Sequence, residues 1–306
     1  MPSPALLNTT VIRCSIGLIG LIALSACGGG GGGTETTATT IPSSAFFDSQ
    51  NTFNVAAQRN VIAGSGIATI PNSPITVVTG TDASGNRTVT LTINGATFTL
   101  EDMTPANFNG EIFEGELGNQ EVEFQTRFGT DFARVAFLDA ANGSISRDLE
   151  YVLYGFESSQ GTVGNRTGTA TYSGNSEAAL FDRDQNSSVV RLSRVAGTAT
   201  FTADFDTNTL SGTARFSAPL VGAPTVSVFD IDFDPAPIAG NGASGTISPR
   251  FDASTTTIVG AFGQNNYDAT FYGPTAQNVG GEFTFTGTQD GTTDLIIQGN
   301  FLGVEQ

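Results

Sequence analysis

The sequence predicts an all-β protein built as a barrel or a sandwich. From Phe46 onward, apolar and polar residues alternate in short runs, which is the pattern of strands with one buried face. Gly, Asn and Asp separate these runs, and none of the runs has the period of an amphipathic helix. The chain also contains 23 phenylalanines and no tryptophan. We therefore expect a core filled by phenylalanine, with Gly and Ala where a barrel wall bends strongly.

An apolar segment from Val11 to Ala26 precedes Cys27, and its single basic residue is Arg13. A membrane span needs about 20 apolar residues, so this Gly-interrupted segment is more typical of a secretory signal. Its last residues with the cysteine, LSAC, resemble the lipobox of bacterial lipoproteins, which implies cleavage before Cys27 and a lipid on its sulfur. The alternative is an ordinary signal peptide followed by a chance cysteine. We predict a lipoprotein signal peptide at residues 1–26 and lipidation of Cys27.

Six glycines follow Cys27 and lead into a threonine-rich stretch. Such a segment buries too little apolar surface to become ordered by itself. We predict that residues 27–45 form a flexible tether with a root-mean-square reach of about 25 Å. Residue 28 is glycine, and not the aspartate that tends to keep lipoproteins at the inner membrane. We therefore expect a lipid anchor in the outer membrane, with the folded part displayed at the cell surface.

The composition excludes several classes of active site. The chain has no histidine, and all 12 of its basic residues are arginine, so a Ser-His-Asp triad, a lysine Schiff base and an imidazole metal site cannot form. Cys14 lies in the signal peptide and Cys27 carries the lipid, which leaves no thiol nucleophile and no disulfide. The formal charge of −17 argues against nucleic acid as a partner. We predict a protein that is not an enzyme and has no cofactor besides its lipid.

One acidic segment resembles the start of a calcium-binding loop. Asp204, Asp206 and Asn208 have the spacing of the first EF-hand ligands. The same loop needs Gly where Thr209 stands and Glu where Arg215 stands. The segment therefore does not complete the EF-hand pattern, and we predict no metal site there.

A second acidic segment is DIDFDPAP, in which Asp230, Asp232 and Asp234 alternate with apolar residues. This spacing places the three carboxylates on one face of a strand. A solvated outer face explains the pattern without a cation, which is the alternative. Paired carboxylates could also hydrolyse glycosides, but the sequence alone places no two of them at a catalytic separation.

The clearest hairpin lies in RTVTLTINGATFTL, residues 87–100. Asn94 and Gly95 suit a two-residue type I′ turn, because both central residues of that turn need a positive φ. Pairing around this turn places Ile93 opposite Ala96, Leu91 opposite Phe98 and Val89 opposite Leu100. One face of the hairpin is then apolar and the other carries threonines, so the register is consistent with the burial pattern.

Similar alternating segments follow to the end of the chain. EVEFQTRF, for example, is predicted to place Val122, Phe124 and Phe128 on one face. A membrane-spanning barrel shows the same alternation. The short strands, the total of five tyrosines and the separate lipid anchor favour a barrel that lies outside the membrane.

The segment IVGAFGQNNYDATFYGPTAQNVGGEFTFTG, residues 258–287, resembles the signature hairpin of the transferrin-binding protein B barrel domain. In that family a Gly-x-Phe strand leads to a turn of the form FYGP-x-A-x-x-VGG-x-F between the last strands of an eight-stranded barrel. The matching residues here are Gly260, Phe262, Phe271, Tyr272, Gly273, Pro274, Ala276, Val279, Gly280, Gly281 and Phe283. The segments 167–175, 197–216 and 242–251 also resemble strands of the family. The resemblance therefore covers about residues 148–306.

The motif itself has a structural explanation. Gly273, Gly280 and Gly281 permit backbone conformations or close strand contacts that a Cβ atom would prevent. Pro274 restricts the entry to the turn and has no amide proton to leave unpaired. We interpret the motif as a signature of the fold; a contact site for a ligand is the alternative.

The resemblance implies an eight-stranded antiparallel barrel at residues 148–306, preceded by a β-rich, handle-like domain at residues 46–147. It also implies a surface lipoprotein that binds an extracellular protein ligand, in iron or nutrient acquisition or in host interaction. Loops carry the specificity of such scaffolds, and the Gly- and Asn-rich segments 104–120 and 235–245 are candidate contact loops. Two alternatives remain: a lipocalin-like barrel that holds a small ligand, and a purely structural surface protein.

Overall fold

The computed structural model describes residues 44–63, 66–93, 95–105, 110–117, 120–142, 146–184, 190–221, 229–251, 258–289 and 293–306. Almost all of these residues lie in sixteen antiparallel strands, which form two closed barrels. The all-β prediction is therefore confirmed. The predicted signal peptide, Cys27 and most of the predicted tether lie outside the described residues. Among the described residues, no helix has the length and apolar character needed to cross a membrane.

The first barrel contains eight strands in sequence order. They are β1 (Asn51–Ala63), β2 (Gly66–Thr81), β3 (Arg87–Ile93), β4 (Ala96–Asp102), β5 (Glu111–Leu117), β6 (Gln120–Gly129), β7 (Ala133–Asn142) and β8 (Ser146–Gly155). Each strand pairs with the next, and β8 returns to pair with β1. The segment predicted as a handle-like domain thus supplies β1 to β7 of a closed barrel, which β8 completes mostly beyond residue 147.

The predicted hairpin corresponds to β3 and β4. Ile93 lies opposite Ala96, Leu91 opposite Phe98 and Val89 opposite Leu100, as the sequence predicts. The apolar face of the hairpin points into the barrel, and Gly95 has a φ of +81° in the turn. On the outer face, Thr90 and Thr99 share a hydrogen bond of 2.9 Å. Asn94 lies outside the described residues.

The second barrel follows a linker, residues 156–168, that contains the short helix α2 (Gln160–Gly164). Its strands are β9 (Thr169–Asp184), β10 (Val190–Asp204), β11 (Thr209–Val221), β12 (Phe229–Ala239), β13 (Gly242–Phe251), β14 (Ile258–Tyr272), β15 (Asn278–Gln289) and β16 (Thr293–Glu305). β16 pairs with β9 and closes the barrel. The predicted domain boundary between residues 147 and 148 falls inside β8, which pairs with β7 and β1 of the first barrel.

Phenylalanine rings fill the interior of the second barrel and lie over glycines of neighbouring strands. Phe283 is directly opposite Gly299, and a Cβ atom at Gly299 would come within 2.4 Å of that ring. Phe301 lies over Gly281 in the same way, at 2.5 Å from the ideal Cβ position. Phe301 also stacks on Phe201 with a centroid distance of 4.1 Å. Because each ring occupies the space above a glycine, strands that curve strongly can still enclose a filled core.

The described residues begin with the short helix α1 (Ser44–Phe47), which closes one end of the first barrel. Phe46 is fully buried and Phe47 is 5% exposed. The guanidinium of Arg134 lies 4.2 Å from the centre of the Phe46 ring, and the hydroxyl of Thr79 donates a hydrogen bond to the Phe46 carbonyl. The linker to the second barrel leaves from this same end, which we call the linker end.

Candidate functional site

The predicted signature turn connects β14 to β15 at the end of the second barrel that lies beside the linker. Phe271 and Tyr272 end β14, and Gly273 follows with a φ of +89°. This φ is readily accessible to glycine alone, so the sequence specifies the turn at this residue. Pro274 is exposed, whereas Ala276 is fully buried with a φ of +57°.

The signature turn hydrogen-bonds to the linker between the barrels. The backbone N–H of Ser158 donates to the Phe271 carbonyl at 2.8 Å, and the Ser158 hydroxyl donates to the Gly273 carbonyl at 2.6 Å. In return, the N–H of Gly273 donates to the Phe156 carbonyl at 2.8 Å. The turn therefore satisfies backbone groups of the linker that would otherwise be buried without partners.

Arg166 of the linker makes a second set of contacts with the turn. Its Nη1 donates to the carbonyls of Thr275 and Ala276 at 2.8 and 2.9 Å, and its guanidinium pairs with Glu305. The hydrogen bond to Glu305 raises the pKa of Arg166. Tyr172 adds a hydrogen bond of 2.9 Å to the Ala276 carbonyl. These contacts assign a structural role to the turn.

Of the remaining signature residues, Gly260 and Phe262 lie in β14, and the others lie in β15 and face both sides of its sheet. Val279 and Phe283 point into the second barrel and are buried. Gly280 faces the first barrel, where a Cβ atom would lie 3.1 Å from the Leu153 side chain. A Cβ atom at Gly281 would lie 2.3 Å from the Asp268 carbonyl oxygen. Gly280 thus lies where the two barrels contact each other closely, and Gly281 lies where two neighbouring strands do.

The barrels share a buried apolar contact. It consists of Ala133, Val135, Phe137, Tyr151 and Leu153 from the first barrel with Ala179, Phe181, Tyr272 and Leu302 from the second. These side chains point outward from their own barrels, so they would be exposed if either barrel stood alone. Burying this apolar surface stabilises the pair.

A charged cluster lies within the same contact. Glu177 is 4% exposed and accepts hydrogen bonds from Arg127 Nε at 2.9 Å, from Arg194, and from the Tyr151 hydroxyl at 3.3 Å. Arg194 also lies 4.0 Å from the centre of the Phe137 ring. Burial alone would lower the pKa of Arg194, but Tyr151 and Glu177 raise it overall. The cluster therefore holds its charges as hydrogen-bonded pairs between the barrels.

The first barrel is incompletely closed at its linker end. Within the described strands, β1 and β8 pair from Arg59–Glu150 to Ala63–Ser146 and no further. β1 contains a register shift between Ala57 and Arg59 in its pairing with β2, and a bulge of this kind bends a strand and ends its pairing. Residues 52–57 of β1 therefore face residues 151–155 of β8 across an opening, which we call the β1–β8 gap.

A cavity of about 200 Å³ lies in the β1–β8 gap. Its walls come from β1, from the end of β8, from the linker and from the second barrel, and they include Thr52, Asn54, Gly155, Glu157 and Tyr272. Phe53 and Tyr154 also line it, but both side chains are buried in the first barrel, where their rings lie 5.4 Å apart. Thr52, Asn54 and Glu157 are exposed. The cavity therefore opens to solvent.

A row of carboxylates crosses the outer face of the first barrel. Glu101 lies opposite Glu114, Glu114 opposite Glu123, and Glu123 opposite Asp139, on four neighbouring strands. Like charges that lie directly opposite destabilise a sheet. Burial raises the pKa of Glu123, and the charges of Glu114 and Asp139 raise it further. The charges of Arg194 and Arg127 partly offset this rise. The alignment of these residues into one row depends on the register of four strands.

The two acidic segments examined as cation sites have ordinary partners. Asp204 accepts hydrogen bonds from the backbone N–H groups of Asp206 and Thr207, as in an ordinary turn. Asp232 pairs with Arg250 at 2.5 Å on the outer face of β12. No group of acidic residues in the described ranges has the arrangement of a metal site.

The described parts of the segments predicted as contact loops contain strands, and residues 106–109 and 118–119 lie outside the described residues. That these segments contact a ligand stays a prediction. Segment 104–120 contains β5, whose Glu111 points into the first barrel and pairs with Arg134. Segment 235–245 contains the end of β12 and the start of β13, joined at Gly240 and Asn241. Glycine and asparagine indicated loops, but alternate residues of both segments are buried, which is compatible with strands.

Sequence reasoning missed the Glu177 cluster and the β1–β8 gap. The cluster had a weak signal, since Arg127 and Arg194 each lie in an otherwise strand-like segment of a chain with 12 basic residues. The gap had no signal, because a bulge adds one residue without requiring a particular residue type. Tyr154 and Tyr272 were visible as strand residues, but their meeting at one cavity depends on the packing of the two barrels.

The described fold defines an all-β protein of two packed barrels with filled interiors. Residues 165–303 match the family model described as C-lobe and N-lobe beta barrels of Tf-binding protein B. The matched range includes nearly all of β9 to β16. The second barrel therefore matches the barrels of that family, and the resemblance stated from the signature turn is confirmed. No curated protein matches the chain.

Several solved structures are similar to this chain. Transferrin Binding Protein B from Haemophilus parasuis Hp5, a double mutant, has 16% identity and a TM-score of 0.49, covering 82% of this chain and 45% of that chain. The isotype 1 protein from serogroup B Neisseria meningitidis has 19% identity and a TM-score of 0.46, covering 82% and 43%. HpuA from Kingella denitrificans, in complex with human haemoglobin, has 14% identity and a TM-score of 0.35, covering 83% and 90%. The chain spans less than half the length of the two transferrin-binding proteins.

Proposed function

We propose that this protein is a lipid-anchored surface protein that binds an extracellular protein ligand. The observation that carries the proposal is the match of residues 165–303 to the barrels of Tf-binding protein B. The matched family consists of ligand-binding proteins and not of enzymes. This assignment agrees with a sequence that lacks histidine and lysine.

The filled barrel interiors favour a macromolecular ligand over a small one. In the second barrel, Phe233 contacts the rings of Phe201, Tyr267, Phe283 and Phe301 with centroid distances of 4.8 to 5.6 Å. A lipocalin-like site would need a cavity of about 300 Å³ or more in this region. The cavity of about 200 Å³ in the β1–β8 gap lies outside the interiors of both barrels. The described residues therefore support binding at the outer surface.

The proposed anchor is the lipid on Cys27 in the outer membrane. The lipobox-like sequence and the glycine-rich tether support this proposal. The first described helix, α1, packs into the linker end of the first barrel. The tether therefore joins the folded part at that end.

The first ligands to test are iron-carrying proteins of a host or of the environment. The family description names transferrin, and a similar solved structure contains human haemoglobin. With a formal charge of −17, the protein favours partners with basic surfaces. Iron or nutrient acquisition, or another host interaction, is the proposed role.

The test is capture of partners from host serum and from growth medium by the purified full-length protein in detergent. We expect recovery of a defined protein partner, identified by mass spectrometry, and weaker capture at high salt. A matched capture with heat-denatured protein controls for non-specific binding. Recovery of no protein partner, together with a tightly held small molecule in native mass spectrometry, would contradict the proposal. Recovery of neither would favour a purely structural surface protein.

A further inference from the structure

The β1–β8 gap exposes two strand edges inside an otherwise closed barrel. Pairing between the strands ends at Arg59 and Glu150, although both strands continue to the linker end. An edge strand presents unpaired N–H and C=O groups that can pair with another chain. Residues 52–57 extend over about 20 Å, which is the length of a typical strand.

The chemistry of the cavity selects the kind of segment that fits. The cavity of about 200 Å³ is smaller than a typical small-molecule pocket and is large enough for one long side chain. The exposed Glu157 lies in its wall. Within the described residues, Glu157 hydrogen-bonds to the Asn241 amide and forms no ion pair. An exposed carboxylate beside the cavity favours a cationic side chain.

We propose that the β1–β8 gap binds an extended segment of a basic protein partner. The segment adds a strand to the free edge of β1 and places an arginine or lysine side chain in the cavity beside Glu157. The formal charge of −17 supports a basic partner, because it attracts cationic segments and disfavours acidic ones. Backbone pairing supplies affinity in this mode, and the cavity supplies specificity. This inference rests on the proposed function as a protein-binding module.

The test uses a synthetic seven-residue peptide in which arginine alternates with valine and threonine, and the purified full-length protein in detergent. Binding is followed by fluorescence anisotropy. The first control peptide has the same side chains but N-methyl groups on alternate backbone amides, which removes hydrogen-bond donors along one edge. The second replaces arginine by glutamate. We expect each control peptide to bind at least tenfold more weakly than the parent peptide.

Two variants at the gap, each with a matched control, separate the gap from the rest of the surface. Thr52→Trp fills the cavity from its exposed rim, and we expect at least a tenfold loss of peptide affinity. Thr99→Trp is the matched control, because Thr99 is exposed on β4 of the same barrel and lies away from the gap. Glu157→Gln removes the carboxylate and should weaken binding about threefold, whereas Glu101→Gln should leave it unchanged.

Amide hydrogen exchange locates the binding. In the free protein, we expect at least a tenfold faster exchange for some amides of 52–57 and 151–155 than for those of 59–63, and we expect the peptide to slow them. Equal protection of both groups in the free protein would overturn the proposal, as would equal binding of the parent and N-methylated peptides. Capture of a serum protein that leaves exchange in the gap unchanged would overturn this inference and leave the proposed function intact. Slowed exchange with the peptide, without any captured protein, would count against the proposed function alone.

Discussion

Glu177 of the second barrel accepts a hydrogen bond from Arg127 of the first, with an Nε–O distance of 2.9 Å. The Glu177 side chain is 4% exposed, so its negative charge depends on partners that it finds between the barrels. Arg194 of the second barrel and Tyr151 of the first also donate to Glu177. Because removal of one partner leaves buried charges without compensation, this contact couples the stability of the two barrels.

The substitution Glu177→Ala is expected to lower the free energy of unfolding by about 3 kcal/mol, because it leaves Arg127 and Arg194 without their buried carboxylate. Urea denaturation followed by circular dichroism measures the change. Asp131→Ala is the matched control, since Asp131 is exposed outside the strands and surface substitutions usually change stability by less than about 0.5 kcal/mol. A loss below about 1 kcal/mol for Glu177→Ala would contradict a stabilising role of the cluster.

Removal of one charge from the carboxylate row is expected to stabilise the protein. Glu123→Gln relieves repulsion by Glu114 and Asp139, and we expect a gain of about 0.2–1 kcal/mol at pH 7. The row also predicts a pH dependence. Because the folded-state pKa of Glu123 is raised, the folded protein binds a proton more readily than the unfolded chain does, so the repulsion is relieved as the pH falls through that raised pKa.

The gain from Glu123→Gln should therefore diminish on acidification and disappear once Glu123 is protonated in the folded and unfolded states. Denaturation curves at several pH values between about 4 and 7 test this expectation, with the ordinary pKa of glutamate at about 4.3. Asp131→Asn, in the exposed turn between β6 and β7, serves as the control outside the row. A destabilised Glu123→Gln protein at pH 7 would show that Glu123 makes a favourable contact instead.

All five tyrosines are expected to remain protonated in the folded protein at pH 10.5. Burial is the main cause that raises the pKa of each, and it raises those of Tyr154 and Tyr267 to about 12. At pH values below the ordinary tyrosine pKa of about 10, the buried neutral phenols stabilise the folded protein. That stabilisation is lost as the pH rises further, because the unfolded chain ionises first.

Absorbance at 295 nm should therefore show tyrosinate only together with loss of the β-sheet signal in circular dichroism. The urea-denatured protein provides the reference, with titration near pH 10. A gradual tyrosinate signal centred near pH 10, with the circular dichroism unchanged, would show that the tyrosines are accessible in the folded state.

Gly281 of the signature turn region is expected to tolerate no side chain. A Cβ atom there would lie 2.3 Å from the Asp268 carbonyl oxygen and 2.5 Å from the Phe301 ring. Gly281→Ala should lower the free energy of unfolding by about 1–3 kcal/mol through overpacking. Gly164→Ala is the matched control, because no atom lies within 4 Å of its Cβ position, and it should be neutral or slightly stabilising. Equal stability of the two variants would contradict the close contact at Gly281.

Lipidation of Cys27 is expected to place the protein in the membrane fraction. Mass spectrometry of the extracted protein should show an acylated N-terminal Cys27 and no peptides from residues 1–26. Cys27→Ala should leave the membrane fraction, whereas Cys14→Ala should behave like the unchanged protein because Cys14 lies in the predicted signal peptide. A Cys27→Ala protein that stays with the membranes would contradict the lipid anchor.

The sequence by itself determined the features that depend on neighbouring residues. The turn at Gly95 and the flanking alternation predicted the pairing of Val89 with Leu100, because a two-residue turn allows one register that buries a single face. The signature residues from Phe271 to Phe283 identified the second barrel, since a positive φ at Gly273 and a close approach at Gly281 restrict the residue types that fit. The absence of histidine and lysine excluded common active sites without any structure.

Only the tertiary structure decided how distant segments meet. No local sequence pattern predicts the closure of the first sheet into a barrel or its open part between β1 and β8. Nor does one predict the pairing of Arg127 with Glu177, 50 residues apart. Phe128 shows the reason: alternation predicted it on the same face as Phe124, but a register shift after Thr126 turns it toward the contact between the barrels. A bulge shifts every following side chain to the other face at a small local cost, and packing between segments far apart in the chain decides whether it occurs.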